Sequence, residues 1–404
     1  MKRAPAGFIW DNLLAMTAYW ICSGAIISSL TEYFGFSLAV SNFITGFTGT
    51  LPIFQLAGGL AYGHTHNPLQ FLRLSNVIWR IFFPLAFFAV LMPHWLGAPV
   101  MLISYTLGVA IYQFSAPSQI SWMSSCVDKQ VSASYYSTRE MIFMAGYTAL
   151  FCTVSLTIDW ANRSNQLQLG FTVIAIILAL LMAGSLVVLY KLPAPPVPPK
   201  KAPALKALLE PLYHKGFNKV MTTNMLWCIA NMFIGGFSAV YQVRILNISF
   251  FQIMLWMTVA NICRTIFTPV MAKFARRIGW KAITSLSFVV MAGGAVIWML
   301  STPQNAFYTF PVATIVTVIP YAAMNVGFLK LQIANSPEES RSVFISVLSL
   351  LNGGAALVGS LLCSTLIEIL EGYSIDFLRY LFGFGVVFAI ISAILSLRIP
   401  YHEE

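Results

Sequence analysis

KLPAPPVPPKKAPALKALLEPLYHKGFNK, residues 191–219, is the stretch that decides the architecture. It is the one long polar break in a chain that is otherwise apolar. Seven prolines (Pro193, Pro195, Pro196, Pro198, Pro199, Pro203 and Pro211) and six lysines lie within it. Proline fixes φ and removes a backbone donor, so the first part reads as an extended, polyproline-like segment. Leu205, Leu208, Leu209 and Leu212 then recur at i, i+3, i+4 and i+7. With Lys206 and Lys215 beside them, they predict a short amphipathic helix on the cytoplasmic leaflet; the other reading is a soluble linker that touches nothing.

Outward from this break the chain is lipid-like in composition. Of its 404 residues 58% are hydrophobic and only 9% charged, and the mean hydropathy is +0.78. Soluble globular domains carry about a quarter charged residues, so a soluble enzyme, a nucleic-acid module and a disordered scaffold are excluded. Apolar runs separated by short polar breaks predict spans at 9–33, 41–62, 74–94, 99–122, 137–158, 168–190, 220–243, 250–274, 282–302, 308–329, 343–367 and 377–398. The runs are continuous and do not alternate, which selects helices over a barrel. Twelve helices of roughly 20–25 residues fit this length.

The break leaves six spans before it and six after. Spans 1 and 7, like spans 4 and 10, are centred about 210 residues apart, the register of a repeated six-span unit. The expected fold is therefore an all-α membrane protein of twelve transmembrane helices in two pseudo-symmetric six-helix bundles. The expected domains are an N-terminal bundle (1–190), a Pro/Lys-rich cytoplasmic linker (191–219) and a C-terminal bundle (220–404).

The net charge of +10 reflects topology rather than nucleic-acid binding. Of the 23 lysines and arginines, 18 fall in segments assigned to one side, and only Arg163, Arg244 and Arg379 to the other. By the positive-inside rule both termini are cytoplasmic. The basic run Met1-Lys2-Arg3 precedes a full apolar span that contains Asp11, so it opens the first transmembrane helix and not a cleaved signal. The cysteines (Cys22, Cys126, Cys152, Cys228, Cys263, Cys363) show no paired spacing and imply neither a metal site nor a disulfide framework.

Short stretches between the spans carry a family resemblance. Pro269-Val270-Met271-Ala272-Lys273-Phe274-Ala275-Arg276-Arg277-Ile278-Gly279-Trp280-Lys281 resembles the basic loop between neighbouring helices of the major facilitator superfamily. Gly59-Leu60-Ala61-Tyr62-Gly63-His64-Thr65-His66-Asn67-Pro68 is its counterpart in the first half. Gly63 and Arg276 stand where that family has its acidic residue. The segments from Pro117 through Asp128, Lys129 and Arg139, and Asn335-Ser336-Pro337-Glu338-Glu339-Ser340-Arg341, form a second corresponding pair, and Tyr33-Phe34-Gly35-Phe36-Ser37 is similar to the approach to span 2. The resemblance implies the major facilitator fold, with spans 1, 4, 7 and 10 lining a central cavity. Spans 2, 5, 8 and 11 then lie at the interface between halves, and spans 3, 6, 9 and 12 on the outside.

Polar groups inside an apolar slab are costly and therefore informative. Arg264 lies within span 8, one turn beyond Asn261, and Arg80 within span 3; a guanidinium stays charged even when buried. Arg264 reads either as a cavity cation for an anionic group or as a structural residue satisfied by carbonyls or Glu140. Arg80 reads as snorkelling, or as paired with Asp11 or Glu140. The carboxylates able to carry a coupling proton are Glu32, Asp11 and Glu140. The neutral candidates for substrate binding are Tyr19 and Trp20 (span 1), Tyr112 and Gln113 (span 4), Trp227 and Asn231 (span 7), and Tyr321 and Asn325 (span 10). Amides offer donor and acceptor together to a hydroxyl, and aromatic faces stack on flat or sugar rings.

No phosphate-binding glycine loop, metal cluster or nucleophile elbow is present in the sequence, so neither an enzyme nor an ATP-driven pump is expected, and no cofactor. The expected function is secondary transport by alternating access across the cytoplasmic membrane. The expected cargo is a small polar organic solute, sugar-like or singly anionic, with H+ or Na+ as coupling ion and the lipid bilayer as the other partner. The protein is expected to act as a monomer without nucleic acid. The alternative is an exporter of amphipathic drugs or lipids of the same superfamily.

Overall fold

The computed structural model describes residues 6–127, 132–195, 205–337 and 340–400. Of the features read from the sequence, 196–204 of the linker and Asp128, Lys129, Glu338 and Glu339 of the paired loops lie outside the described residues, as does the Arg276 side chain. The described residues form helices and no strand. Ten helices are long and apolar enough to cross a membrane, and two bent pairs raise the count to twelve among the described residues.

The spans run Gly7–Ile21 with Gly24–Tyr33, Leu38–Thr45 with Phe47–His64, Pro68–Leu91, His94–Cys126, Thr138–Arg163 and Leu167–Tyr190. After the linker come Lys215–Ile245, Phe250–Thr268, Trp280–Leu300, Ala306–Ala334, Val343–Glu371 and Ile375–Leu397. Each overlaps one apolar run of the sequence. The breaks have local causes. Span 1 bends by 49° at Cys22–Ser23, where Ser23 is extended and Gly24 adopts φ +56°, a backbone open mainly to glycine. Span 2 bends by 41° after Thr45 and tightens to a 3₁₀ turn at Leu51–Ile53, around Pro52.

The internal repeat is visible in the backbone. Gly35 ends span 1 with φ +73°, and two residues later the Ser37 side chain accepts from the Val40 amide to start span 2. Asn247 ends span 7 with φ +53°, and two residues later Ser249 accepts from the Gln252 amide to start span 8. The break of span 1 at Cys22–Ser23 has a counterpart at the same offset in span 7, the π-helical turn Met232–Gly236. Turns of this kind reorient side chains within a helix and cluster at functional sites.

Contacts divide the chain into two units: unit 1 holds Met1–Phe36 and Phe54–Ala202, unit 2 holds Ser37–Ile53 and Pro203–Glu404. The first half of span 2 thus packs with the C-terminal helices, although it lies in the N-terminal half of the chain. The Asn42 amide donates to Ser364 Oγ at 3.1 Å, and the Arg244 guanidinium donates to Ser41 Oγ at 2.9 Å. A Cβ on Gly353 would lie 2.5 Å from the Ile53 backbone nitrogen, so these helices touch backbone to backbone. Small residues permit this approach where lipid supplies no hydrophobic drive.

Within unit 1, Phe8, Tyr62, Leu72, Trp122 and Leu189 gather in one core. Within unit 2, Trp227, Phe288, Met291, Phe328 and Ala389 gather in another. The linker helix Leu205–Tyr213 forms as its leucine spacing predicts. Leu212 turns inward against Phe217, Met221, Phe344 and Leu348, while Leu209 and Tyr213 stay exposed. The leucine stripe is therefore shared between protein and surroundings, because Leu212 lies next to the start of span 7.

Candidate functional site

Each unit holds a polar cluster on its own helices. In unit 1, Tyr19 sits just before the break of span 1 and is buried. Its hydroxyl accepts from Gln113 Nε2 of span 4 at 3.3 Å. Gln113 Oε1 accepts in turn from Gln55 Nε2 of span 2 at 2.8 Å. The Tyr112 ring lies 4.1 Å from Tyr19, with Trp79 edge-on behind it at 5.2 Å. Gln55 is a member that the sequence reading passed over. Its signal was an amide in the apolar run Leu51–Leu60, on a helix assigned to an interface rather than to a cavity. Trp20 makes an edge contact with Tyr19 but is 46% exposed, so it stands outside the hydrogen-bonded group.

In unit 2, Trp227 and Asn231 lie one turn apart on span 7, directly before the π-helical turn. The Tyr321 hydroxyl of span 10 donates to Asn231 Oδ1 at 2.5 Å. Trp227 packs against Phe288 at 4.9 Å and edge-on to Tyr321 at 6.2 Å. Arg264 of span 8 is half-buried, on a helix that packs against the half of span 10 carrying Tyr321. The described residues give its side chain no hydrogen bond or ion pair. Asn261, one turn before it, turns its amide to the Met257 carbonyl at 2.9 Å. Asn325, one turn past Tyr321, is exposed.

The repeat relates the two clusters. Gln113 and Tyr321 lie about 210 residues apart, as do Tyr19 and Asn231. Each unit therefore joins its first helix to its fourth through one tyrosine–carboxamide bond, with the two residue types exchanged. The arrangement can hold hydroxyl or carbonyl groups through leftover amide donors and acceptors.

The carboxylates separate by environment. Asp11 is buried beside the π-helical turn Asn12–Met16. One Arg80 nitrogen, NH2, donates to both of its oxygens, at 2.8 and 3.0 Å, and Gln119 Nε2 adds a bond of 3.2 Å. Arg139 donates to the neighbouring Asn12. Arg80 is fully buried, so of its sequence readings the pairing with Asp11 holds; neither snorkelling nor pairing with Glu140 does. Its Nε and NH1 find no partner among the described residues, and the Trp79 ring lies 5.1 Å from its centre. Glu32 and Glu140 are exposed, toward the end of span 1 and on span 5. Among the described residues no group of three or more metal-ligating side chains occurs.

Comparison with known proteins adds three findings. Residues 237–404 match the family model of the Major Facilitator Superfamily. No curated protein matches. Among solved structures, a mutant of the nucleoside transporter NupG is similar with TM-score 0.75 at 13% identity, over 97% of this chain and 98% of that one. A D-xylose-proton symporter is similar with TM-score 0.68 at 15% identity, over 97% and 96%. The peptide transporter POT, as a mutant with sulfate, is similar with TM-score 0.70 at 13% identity, over 97% and 94%.

Proposed function

We propose that this chain, whose residues 237–404 match the Major Facilitator Superfamily model and whose whole length shares the fold of solved transporters, is a secondary transporter of that superfamily. It carries a small polar organic solute across the cytoplasmic membrane by alternating access. The observation that carries this reading is the paired placement of polar side chains at matching places in the two repeats. Tyr19 with Gln113, and Asn231 with Tyr321, occupy helices long and apolar enough to span lipid. Polar groups there are expensive, and they mark substrate paths. Transporters of nucleosides, xylose and peptides share the fold, which fits a solute of that size range.

In this reading Arg264, Asn261, Trp227, Asn231, Asn325 and Tyr321 contact the solute from unit 2. Tyr19, Trp20, Tyr112 and Gln113, together with Gln55, are the candidate contacts that unit 1 offers on its own helices. A proton is the coupling ion, taken up by Glu32 at the exposed end of span 1. The Arg80 bonds assign Asp11 to holding spans 1 and 3 together. Both termini face the cytoplasm, and the monomer is the working form.

The test is counterflow in proteoliposomes with labelled neutral sugars, sugar acids, nucleosides and dipeptides. Uptake of one class, competed by its unlabelled form and lost on Asn231→Ala, is expected. A solute that stabilises the purified protein yet is never moved would show a receptor instead.

A further inference from the structure

The polar clusters of the two repeats differ in the charge of their third member, and that difference describes the cargo. In unit 1 the third member is Gln55, which donates to Gln113 and closes a neutral chain Gln55–Gln113–Tyr19. On the corresponding span of unit 2, about 210 residues further on, stands Arg264. Its helix packs against the half of span 10 that carries Tyr321, the partner of Asn231, and its guanidinium has no partner among the described residues. A cation at membrane depth without a partner is a cost that an incoming anion removes.

We propose that unit 2 reads a hydroxylated monocarboxylate of sugar size, a sugar acid, with Arg264 on the carboxylate and Asn231, Tyr321 and Asn325 on the hydroxyls. This deepens the transport reading and rests on it. The charge argument selects a monoanion. The other described cations of unit 2 lie within about one turn of a span end or beyond it, and Arg244 among them donates to Ser41, so a single guanidinium meets the solute. A phosphate monoester carries about −1.5 to −2 charges at neutral pH and would leave an excess. A planar fork of N–H groups matches a carboxylate in two parallel bonds.

The hydroxyl argument comes from unused valence. Asn231 spends its oxygen on Tyr321, which leaves two amide hydrogens. The Tyr321 oxygen keeps acceptor capacity once its hydrogen is donated. Asn325 offers a whole carboxamide with no partner among the described residues. A short carboxylic acid would satisfy Arg264 and waste these groups, whereas a neutral sugar would use them and leave the cation open.

The experiment compares glucuronate and gluconate with glucose, glucose 6-phosphate and acetate, on the purified full chain in lipid nanodiscs. Thermal shift and equilibrium binding are the readouts. The two sugar acids are expected to bind at least tenfold more tightly than glucose, acetate or the phosphate ester. Arg264→Gln is expected to bring glucuronate down to the level of glucose. Arg264→Lys, which keeps the charge and loses the fork, is expected to fall between. Lys330→Gln, which removes a charge beside Trp280 at 4.4 Å, should leave the ranking unchanged. Glucose or acetate binding as well as glucuronate would overturn the proposal. So would a sugar-acid preference that survives Arg264→Gln, or no response to either acid. The wild-type ranking decides the matter even if the Arg264 variants fail to fold. Sugar acids that bind without flux would sink the transport reading and leave the ligand class standing. Flux of another solute with no sugar-acid binding would do the reverse.

Discussion

Asp11 and Arg80 should behave as one unit in a double-mutant cycle. Both are buried, Arg80 to 0% and Asp11 to 2% exposure, and Arg80 NH2 reaches both carboxylate oxygens within 3.0 Å. Removing one partner of a buried pair leaves a bare charge and costs about 3–5 kcal/mol. A unit of 150–250 residues loses roughly 2–4 °C per kcal/mol. Asp11→Leu and Arg80→Met should therefore each lower the melting temperature by roughly 6–20 °C. Asp11→Leu is expected to be the harsher, because it strands Arg80, whose Nε and NH1 already lack partners among the described residues, and it also frees Gln119. The double variant removes both charges and should recover most of the loss. Its remaining cost is the Gln119 bond, about 1 kcal/mol. The assay is thermal unfolding of the purified variants followed by tryptophan fluorescence. Single losses below about 1 kcal/mol, or a double variant that costs the sum of the singles, would show that the pair is not the buried unit described.

Glycine pairs give internal controls. A Cβ at Gly58 would overlap the Phe114 carbonyl, while Gly59 meets nothing within 4 Å, so Gly58→Ala should lower stability by about 1–3 kcal/mol and Gly59→Ala should not. The same contrast is expected between Gly353, against the Ile53 backbone, and Gly354, in open space; equal melting temperatures within either pair would contradict the packing. Gly24→Ala imposes a side chain at φ +56° and should cost about 1 kcal/mol, measured as a shift in thermal midpoint. Tyr321→Phe deletes the bond to Asn231 and should cost about 0.6 kcal/mol, an average for such bonds in membranes. A loss above 2 kcal/mol would assign that pair to the scaffold.

Much of the fold was legible because lipid leaves few choices. A run of apolar residues long enough to cross must be helical, so each predicted span finds its helix, and the proline–lysine break falls between the sixth and seventh. Individual breaks were harder. Ser23-Gly24 looks like ordinary small-residue packing in sequence, yet it breaks span 1. A pair of adjacent glycines in sequence does not say which member packs; the helix phase puts Gly58, Gly294 and Gly353 against neighbours while Gly59, Gly293 and Gly354 meet none. Span 2 was assigned whole to the N-terminal half, and only contacts show its first part, Ser37–Ile53, in unit 2.

Sequence by itself determined what depends on solvent and period: a membrane chain, helices, their number, and the duplication. Those follow from transfer free energies and from a repeat along one dimension. Partnership depends on which residues far apart in the chain come within 3 Å, and only the tertiary structure decided it. Arg80 took Asp11 and lost its place among free cations. Gln55 joined Gln113. Arg264 found no carboxylate among the described residues, and its charge stayed available. Hydrogen bonds and ion pairs act over ångströms, and a linear sequence carries no distance between spans.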